Sequence, residues 1–490
     1  MMVISRVVLA TSLLLPLGPV AFADYLVSVI EPPEGSIGVS LANRDSVTAS
    51  GLVGLISRTP DPDAPEDVDN VAALWREGAG TRSLGTLGGY LSEVRDVSER
   101  GEVVGRSLRA DLLNHAFLWN AAEGMRDLGS LGGRTSTATA VNEVGEVVGW
   151  SLTTEAKPRA FYWSGPTGMI GLDPLGAEEA YAIDIDDGGR VTGILESESN
   201  RVTRVFAWSA GEGTVDRGPI GGEFTIVNAS NDAGALGGHT RFANGDYRAF
   251  LFTVEGTTLD LGTFGGNFSS VRAISESGEQ AVGFSRVVDG TARAFLWTRS
   301  GGMRNLGTLD GSSSASDVND SGVVVGTSNN ASGGDPRAFV WSEADGMVDL
   351  NERLSWSSLD ALVLEQALAI TDDGKIVARA RSEASRAVAW LLLTPEGGRS
   401  DRDGDGIVGT DDVCPDTVLG IEPTRRTTGN RFYSDEDGEF VDGRGEPSGY
   451  TVADTGGCSG QQIVDAAELG KGHLRYGLTR SALEDWIAAL

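Results

Sequence analysis

The pentapeptide His115-Ala116-Phe117-Leu118-Trp119 returns along most of the chain, as Arg159 to Trp163, Arg204 to Trp208, Arg248 to Phe252, Arg293 to Trp297 and Arg337 to Trp341. A weak first copy stands at Val71 to Trp75 and a weak last one at Arg386 to Trp390, which makes eight. The terminal aromatics lie 44, 44, 45, 44, 45, 44 and 49 residues apart. A fixed period in this range marks a solenoid or a propeller.

Three further landmarks recur in each unit. A Leu-Gly-x-Leu-Gly-Gly turn stands at Leu84 to Gly89, Leu128 to Gly133, Leu261 to Gly266 and Leu306 to Gly311; an Asn-x-x-Gly hairpin is clearest at Asn142 to Gly145 and Asn319 to Gly322; and Val-Val-Gly strands run Val103 to Gly105, Val147 to Gly149 and Val324 to Gly326. In the third unit these landmarks define strands Met125 to Leu131, Thr137 to Val141, Glu146 to Leu152 and Arg159 to Ser164, each of ordinary strand length. Four antiparallel strands per 44 residues is the arithmetic of a propeller blade. The expected fold is therefore all-β, a β-propeller of about eight four-stranded blades over residues 24–394. The first unit is traced from Tyr25 to Trp75, and the last, from Val348 to Trp390, must meet it to remove exposed edges. An open β-solenoid is the rival, and seven blades with one atypical unit is another.

Alternation along the aromatic strand puts Phe161 and Trp163 on one face and Ala160 and Tyr162 on the other, so the tryptophans are expected between blades. A basic residue four before the aromatic recurs in seven units: His115, Arg159, Arg204, Arg248, Arg293, Arg337 and Arg386. Such repetition suits structural ion pairs to acidic turn residues of the adjoining blade better than a ligand site. The Leu-Gly-Gly turns and the variable loops, Arg58 to Asn70, Leu108 to Asn114, Thr153 to Pro158 and Asn329 to Pro336, fall on one face of the ring, and the Asn-x-x-Gly hairpins on the other. Variable loops on a rigid scaffold are the usual place for recognition. Asp61, Asp63, Glu66, Asp67 and Asp69 crowd the longest and read as a solvated loop.

Residues 25–394 resemble the HAF-repeat family of bacterial exported proteins, since all these landmarks recur in order. The resemblance implies a propeller-like extracellular repeat protein and brings no catalytic residues with it.

The flanks carry different signals. Residues 1–23 read as a secretory signal peptide, with Arg6, an apolar Val7 to Leu17 and a small-x-small Ala21-Phe22-Ala23. A secreted, periplasmic or cell-surface location follows, with no membrane span after cleavage. A formal charge of −31 argues against nucleic acid and anionic membranes and favours cations. Residues 395–400 read as a linker. Beyond it, Asp401, Asp403 and Asp405, Gly406, the Ile407 carbonyl and Asp412 stand at positions 1, 3, 5, 6, 7 and 12 of a loop, the oxygen set that Ca²⁺ collects from a short turn. With Cys414-Pro415 after it, this loop resembles a thrombospondin type 3 repeat, which implies calcium as the bound ion. A second acidic stretch, Asp435, Asp437 and Asp442, is weaker.

Only Cys414 and Cys458 occur, and in an exported protein they are expected to pair, a cross-link worth about 4 kcal/mol in the chain-entropy model. Ser459 with Gln462 and Ser481 with Glu484 form capping-box pairs ahead of two short amphipathic helices, expected to pack on the calcium loop and the disulfide. Residues 401–490 thus read as a calcium-binding, disulfide-linked module.

With three histidines and no H-E-x-x-H, G-x-S-x-G or phosphate-loop motif, the chain shows no metalloprotease, hydrolase-elbow or nucleotide signature. The leading expectation is a non-catalytic binding or surface protein whose ligand, a glycan or a protein, the sequence does not identify. A propeller-type carbohydrate-active enzyme is the alternative; two carboxyls facing each other in a central pocket would favour it, and a plugged channel would favour the binder. A surface-coat role comes third.

Overall fold

The computed structural model describes residues 25–42, 46–60, 68–197, 202–242, 244–329, 335–354, 362–382 and 386–395, and beyond them 431–434, 439–442, 447–451, 463 and 478–487. The signal segment, Asp61 to Asp67, Asp401, Asp403, Asp405, Ile407, Asp412, Asp435, Asp437, Cys414 and Cys458 lie outside the described residues.

Residues 25–395 form eight four-stranded antiparallel sheets, an eight-bladed β-propeller. Blade 2 shows the pattern: strand a, Gly88–Val97; b, Val103–Arg109; c, Asn114–Asn120; d, Gly124–Gly129. Each blade is offset by one strand from the sequence unit. Strand d turns tightly back from c, pairing Trp119 with Met125, and the Leu-Gly-x-Leu-Gly-Gly segment then crosses from strand d to strand a of the next blade. The first strand of each sequence unit therefore completes the preceding blade. For the first unit the preceding blade is the last: Tyr25–Val29 pairs antiparallel with Val388–Pro395, Tyr25 opposite Pro395 and Val29 opposite Leu391. Tyr25 thus belongs to blade 8, and hydrogen bonding as well as packing closes the ring.

The aromatic faces are as the alternation predicts. Phe161 and Trp163 of blade 3 pack on Ala116, Leu118 and Leu128 of blade 2, and all of them are buried. Across from the phenylalanine stands the glycine of Val-Val-Gly: Gly105 faces Phe117, Gly149 faces Phe161, Gly193 faces Phe206, Gly238 faces Phe250, Gly283 faces Phe295 and Gly326 faces Phe339. A Cβ on Gly149 would lie 2.1 Å from the Thr137 carbonyl oxygen, and one on Gly105 would lie 1.9 Å from that of Glu93, because strand a bulges towards strand b at this height.

The end blades exchange volume across the same pair. Blade 1 has Leu55 opposite Ala73, and blade 8 has Ala378 opposite Leu391. This register corrects the last sequence copy. The residue equivalent to Trp163 is Leu393 and Trp390 takes the place of Ala160, so the last spacing, Trp341 to Leu393, is 52 residues and longer still than the sequence match suggested. Where the Leu-Gly-Gly turn is missing after blade 7, a 3₁₀ turn, Leu350–Arg353, replaces it, with the Asp349 carboxylate accepting from the Asn351 N–H.

Past residue 430 a small four-stranded sheet runs Pro447–Thr451, Glu439–Asp442, Arg431–Ser434, Leu478–Thr479 and is followed by helix α1, Arg480–Ile487. The α1 cap is Thr479, whose hydroxyl accepts the Ala482 N–H, and not Ser481. Leu483 and Ile463 bury against Phe432, Phe440 and Leu478, so the apolar residues of this region pack on a sheet that the sequence did not announce.

Gly149→Ala is expected to cost about 1–3 kcal/mol or more through the clash with a backbone carbonyl. Gly165→Ala, where nothing lies within 4 Å, should be near neutral. Urea midpoints of the two variants check this; equal midpoints would remove the packing argument.

The central channel as candidate functional site

Strands a of blades 2 to 8, with Val47 to Ala49 of blade 1, surround a central cavity of about 970 Å³. It is open rather than plugged, and its two ends are built differently.

At the hairpin end, one acidic residue per blade occupies the same position in seven blades: Glu99, Glu143, Asp187, Asp232, Glu276, Asp320 and Asp372. These hairpins are tied from the backbone of one blade to the carboxylate of the next. The Glu99 N–H donates to Glu143 at 2.7 Å, Glu143 N–H to Asp187 at 2.9 Å, and Asp320 N–H to Asp372 at 2.9 Å. Blade 1 has Ala49 at this position; its N–H donates to Glu99 at 2.6 Å, while Lys375 of blade 8 donates from Nζ to the Ala49 carbonyl at 2.9 Å. The lysine closes the series where the acid is missing.

The Asn of Asn-x-x-Gly adds a parallel tie. Asn142 Oδ1 accepts the Glu146 N–H at 2.9 Å, and its amide donates to the Asp186 carbonyl of blade 4 at 3.0 Å; Asn231 repeats this with the Ser275 carbonyl at 2.9 Å. These acids are therefore inter-blade fasteners first. Burial, with Asp232 and Asp184 nearby, pushes the Glu276 carboxyl up to about 8, and burial with Asp187 and Asp186 raises Asp232.

At the other end the basic residues of the aromatic strand find their partners. His115 Nδ1 lies 2.8 Å from Asp127, and Arg204 and Arg248 hold Asp216 and Asp260 at 2.8 and 3.0 Å. These acids sit twelve residues on, in strand d of the same blade, rather than on the adjoining one. The c–d pairing brings them there, and each caps the following turn, as when Asp127 accepts the Gly129 N–H at 2.8 Å. Arg159 and Arg293 donate instead to the carbonyls of Glu178 and Gly311. Arg386 is not an equivalent of these; it pairs with Asp335 of blade 7 from a loop position with φ of 61°.

The eightfold pattern breaks at the residue that follows the Val-Val-Gly glycine. It is Arg106 in blade 2, Trp150 in blade 3, Ile194 in blade 4, His239 in blade 5 and Phe284 in blade 6. Over blades 2 to 4 these side chains line the cavity together with Arg95, Thr137, Tyr181, Ile183 and Glu196. Trp150 meets Tyr181 edge to face, with ring centroids 5.9 Å apart. Glu93 is bracketed by Arg106 at 2.8 Å and Arg95 at 3.6 Å. On blade 4, Glu179 stands directly opposite Glu196 in the sheet, and the Tyr181 hydroxyl donates to Glu179 at 2.6 Å. Burial, then Glu179, raises the Glu196 carboxyl, and burial with the Glu179 hydrogen bond raises the Tyr181 phenol. In blades 5 and 6, Phe268 and Phe284 stack at 5.5 Å with His239 against Phe268.

Sequence reasoning placed recognition on the loops and missed this wall. The signal was the one position that changes from unit to unit beside an otherwise repeated Val-Val-Gly.

No protein-family model and no curated protein matches the chain. Among solved structures, it is similar to the Dos1 propeller at 11% identity, covering 76% of this chain and 95% of that one with a TM-score of 0.46. It is also similar to the β-propeller domain of the Trilobed protease from Pyrococcus furiosus, at 9% identity over 77% and 97% of the two chains with a TM-score of 0.40. For TolB from Acinetobacter baumannii the values are 12%, 70% and 80%, and 0.31.

Because the folded Glu276 holds its proton up to about 8 against a usual 4.5, the folded state binds more protons than the unfolded one between those values. Stability is then expected to rise as pH falls from about 8 towards 4.5. Glu276→Gln should flatten that rise in thermal melts; an unchanged slope would show that the ring does not titrate in this way.

Proposed function

We propose that the protein is an exported binding protein that takes a small ligand in the blade 2–4 quadrant of its channel. The observation that carries this is the grouping of Trp150, Tyr181, Ile194, Arg106 and Glu196 around an open cavity of about 970 Å³, at a position that the eightfold packing leaves free to vary. A concave, largely preformed site with aromatic walls and a few placed polar groups is the usual form of a small-molecule site. A flat apolar ring face against Trp150 and Tyr181, with hydroxyls towards Arg106 and Glu196, makes a glycan the first ligand class to test.

Export rests on the signal-like residues 1–23; among the described residues no helix is long and apolar enough to cross a membrane. A second reading, glycoside cleavage, is favoured by Glu179 facing Glu196 beside the cavity, one carboxyl raised, as acid and base roles require.

A glycan array should show ligands whose binding weakens about tenfold or more in Trp150→Ala, since losing an aromatic platform removes at least about 1.4 kcal/mol. Binding that Trp150→Ala leaves unchanged would place recognition elsewhere.

The tail extends the reading. Asp401, Asp403, Asp405, Ile407 and Asp412 would hold calcium as a stabilising ion, independently of the channel. Added Ca²⁺ should raise the melting temperature of the full chain, and Asp403→Asn should abolish the rise. An unchanged melt with and without chelator would remove calcium from the account.

A further inference from the structure

We infer that the channel site selects ligands carrying a protonated amine, held between the Trp150–Tyr181 pair and the facing carboxylates of Glu179 and Glu196. This rests on the channel reading above and names the chemistry its ligand must bring.

The first ground is charge that the fold does not balance. Glu179 and Glu196 are direct cross-strand neighbours, where like charges repel. Among the described residues neither forms an ion pair; Glu179 accepts only the neutral Tyr181 hydroxyl. The blade 2 wall differs, since Glu93 there lies between two arginines. Other acids of the propeller are balanced: Glu365 meets Arg379 at 3.0 Å, and Glu143 accepts the Glu99 N–H of the neighbouring blade.

The second ground is the aromatic pair beside them. Trp150 and Tyr181 present π faces and edges to the cavity, and a cation over such a face is attracted by the ring quadrupole. Strand-d arginines stack on the inter-blade tryptophans, Arg126 over Trp163 and Arg82 over Trp119, whereas no guanidinium is stacked on Trp150 or Tyr181 among the described residues.

The third is Thr137, which lines the same cavity directly opposite Trp150. It is 4% exposed, and its hydroxyl oxygen has no partner in the protein. A buried hydroxyl without a protein partner in the wall of the site is one that a ligand N–H or O–H would satisfy on a small shift of that side chain.

The test is calorimetric titration of the full chain with a glucosamine tetramer, with spermidine and with the neutral glucose tetramer cellotetraose, at a pH below the pKa of each amine. The two amines separate an amino sugar from a simple polyamine as the source. Either amine should bind about tenfold or more tightly than cellotetraose, and Glu196→Gln should erase that margin, as should Glu179→Gln. Both variants are isosteric and remove a repulsion, so their melting temperatures should be at or above that of the parent.

Cellotetraose binding as tightly as the glucosamine tetramer, with both lost in Trp150→Ala, would overturn the amine inference and leave the channel reading standing. Amine binding that survives Glu196→Gln and Glu179→Gln would also overturn it. Binding of none of the three would overturn it, and binding insensitive to Trp150→Ala would sink both. Release of shorter sugars from the glucosamine tetramer would assign the carboxyl pair to cleavage instead.

Discussion

One cross-strand contact, glycine against phenylalanine, sets the shape of every other feature. The bulge in strand a brings a carbonyl within about 2 Å of where a Cβ on the facing glycine would lie in blades 2 to 7, so a side chain there needs the bulge to shift, as it must where blade 8 carries Ala378. The space it leaves is taken by the phenylalanine of the aromatic strand, which is fully buried in all six blades that keep the pair. The end blades divide the pair differently: blade 1 carries Leu55 opposite Ala73, and blade 8 carries Ala378 opposite Leu391. Total volume across the pair is held while its division changes, as close-packed interiors require.

A sheet held this way still exposes two faces and an edge, and the ring supplies partners for all three. Aromatic faces meet aliphatic ones, strand Tyr25–Val29 covers the last edge, and buried serines lock the inner crossings. Ser136 of blade 3, for example, accepts the Ala116 N–H of blade 2 at 2.8 Å. Carboxylates and asparagines do the same at the hairpin end. Each of these bonds joins groups from two blades, so a blade cut from the ring would leave backbone donors unpaired, and stability is a property of nearest neighbours around the circle.

The sequence therefore exposed the parts of the fold that repeat. Strand count, period, the burial of Trp119 or Trp163, and the separation of hairpins from variable loops are all consequences of one unit copied eight times. What it hid has a physical cause in each case. The blade boundary was displaced because a circular array has no natural first strand, and only the c–d turn geometry decides whether Gly124–Gly129 belongs before or after the crossing. Trp390 was matched to Trp341 because both are tryptophans, whereas the pairing of Val377 with Leu392 shifts the true equivalent to Leu393. The partner of the basic series, such as Asp127 for His115, was ambiguous between neighbouring blades until the c–d register fixed it. The channel wall was legible only as a negative, a position beside Val-Val-Gly that fails to repeat.

That failure to repeat is where function has room. Residues whose identity the packing dictates, such as Phe161 or Gly149, have no freedom to change; Arg106, Trp150 and Ile194 hang from the same rigid strands but point into open space. Two facing glutamates cost a few tenths to about 1 kcal/mol in a sheet. A strand fastened on both sides can absorb that cost without moving, so the carboxylates stay in place and keep their repulsion. A ligand that carries the opposite charge removes the repulsion, and an uncharged one of the same shape does not. Rigidity of the eightfold scaffold and selectivity at a site that departs from eightfold symmetry are in this way the same property seen from two sides.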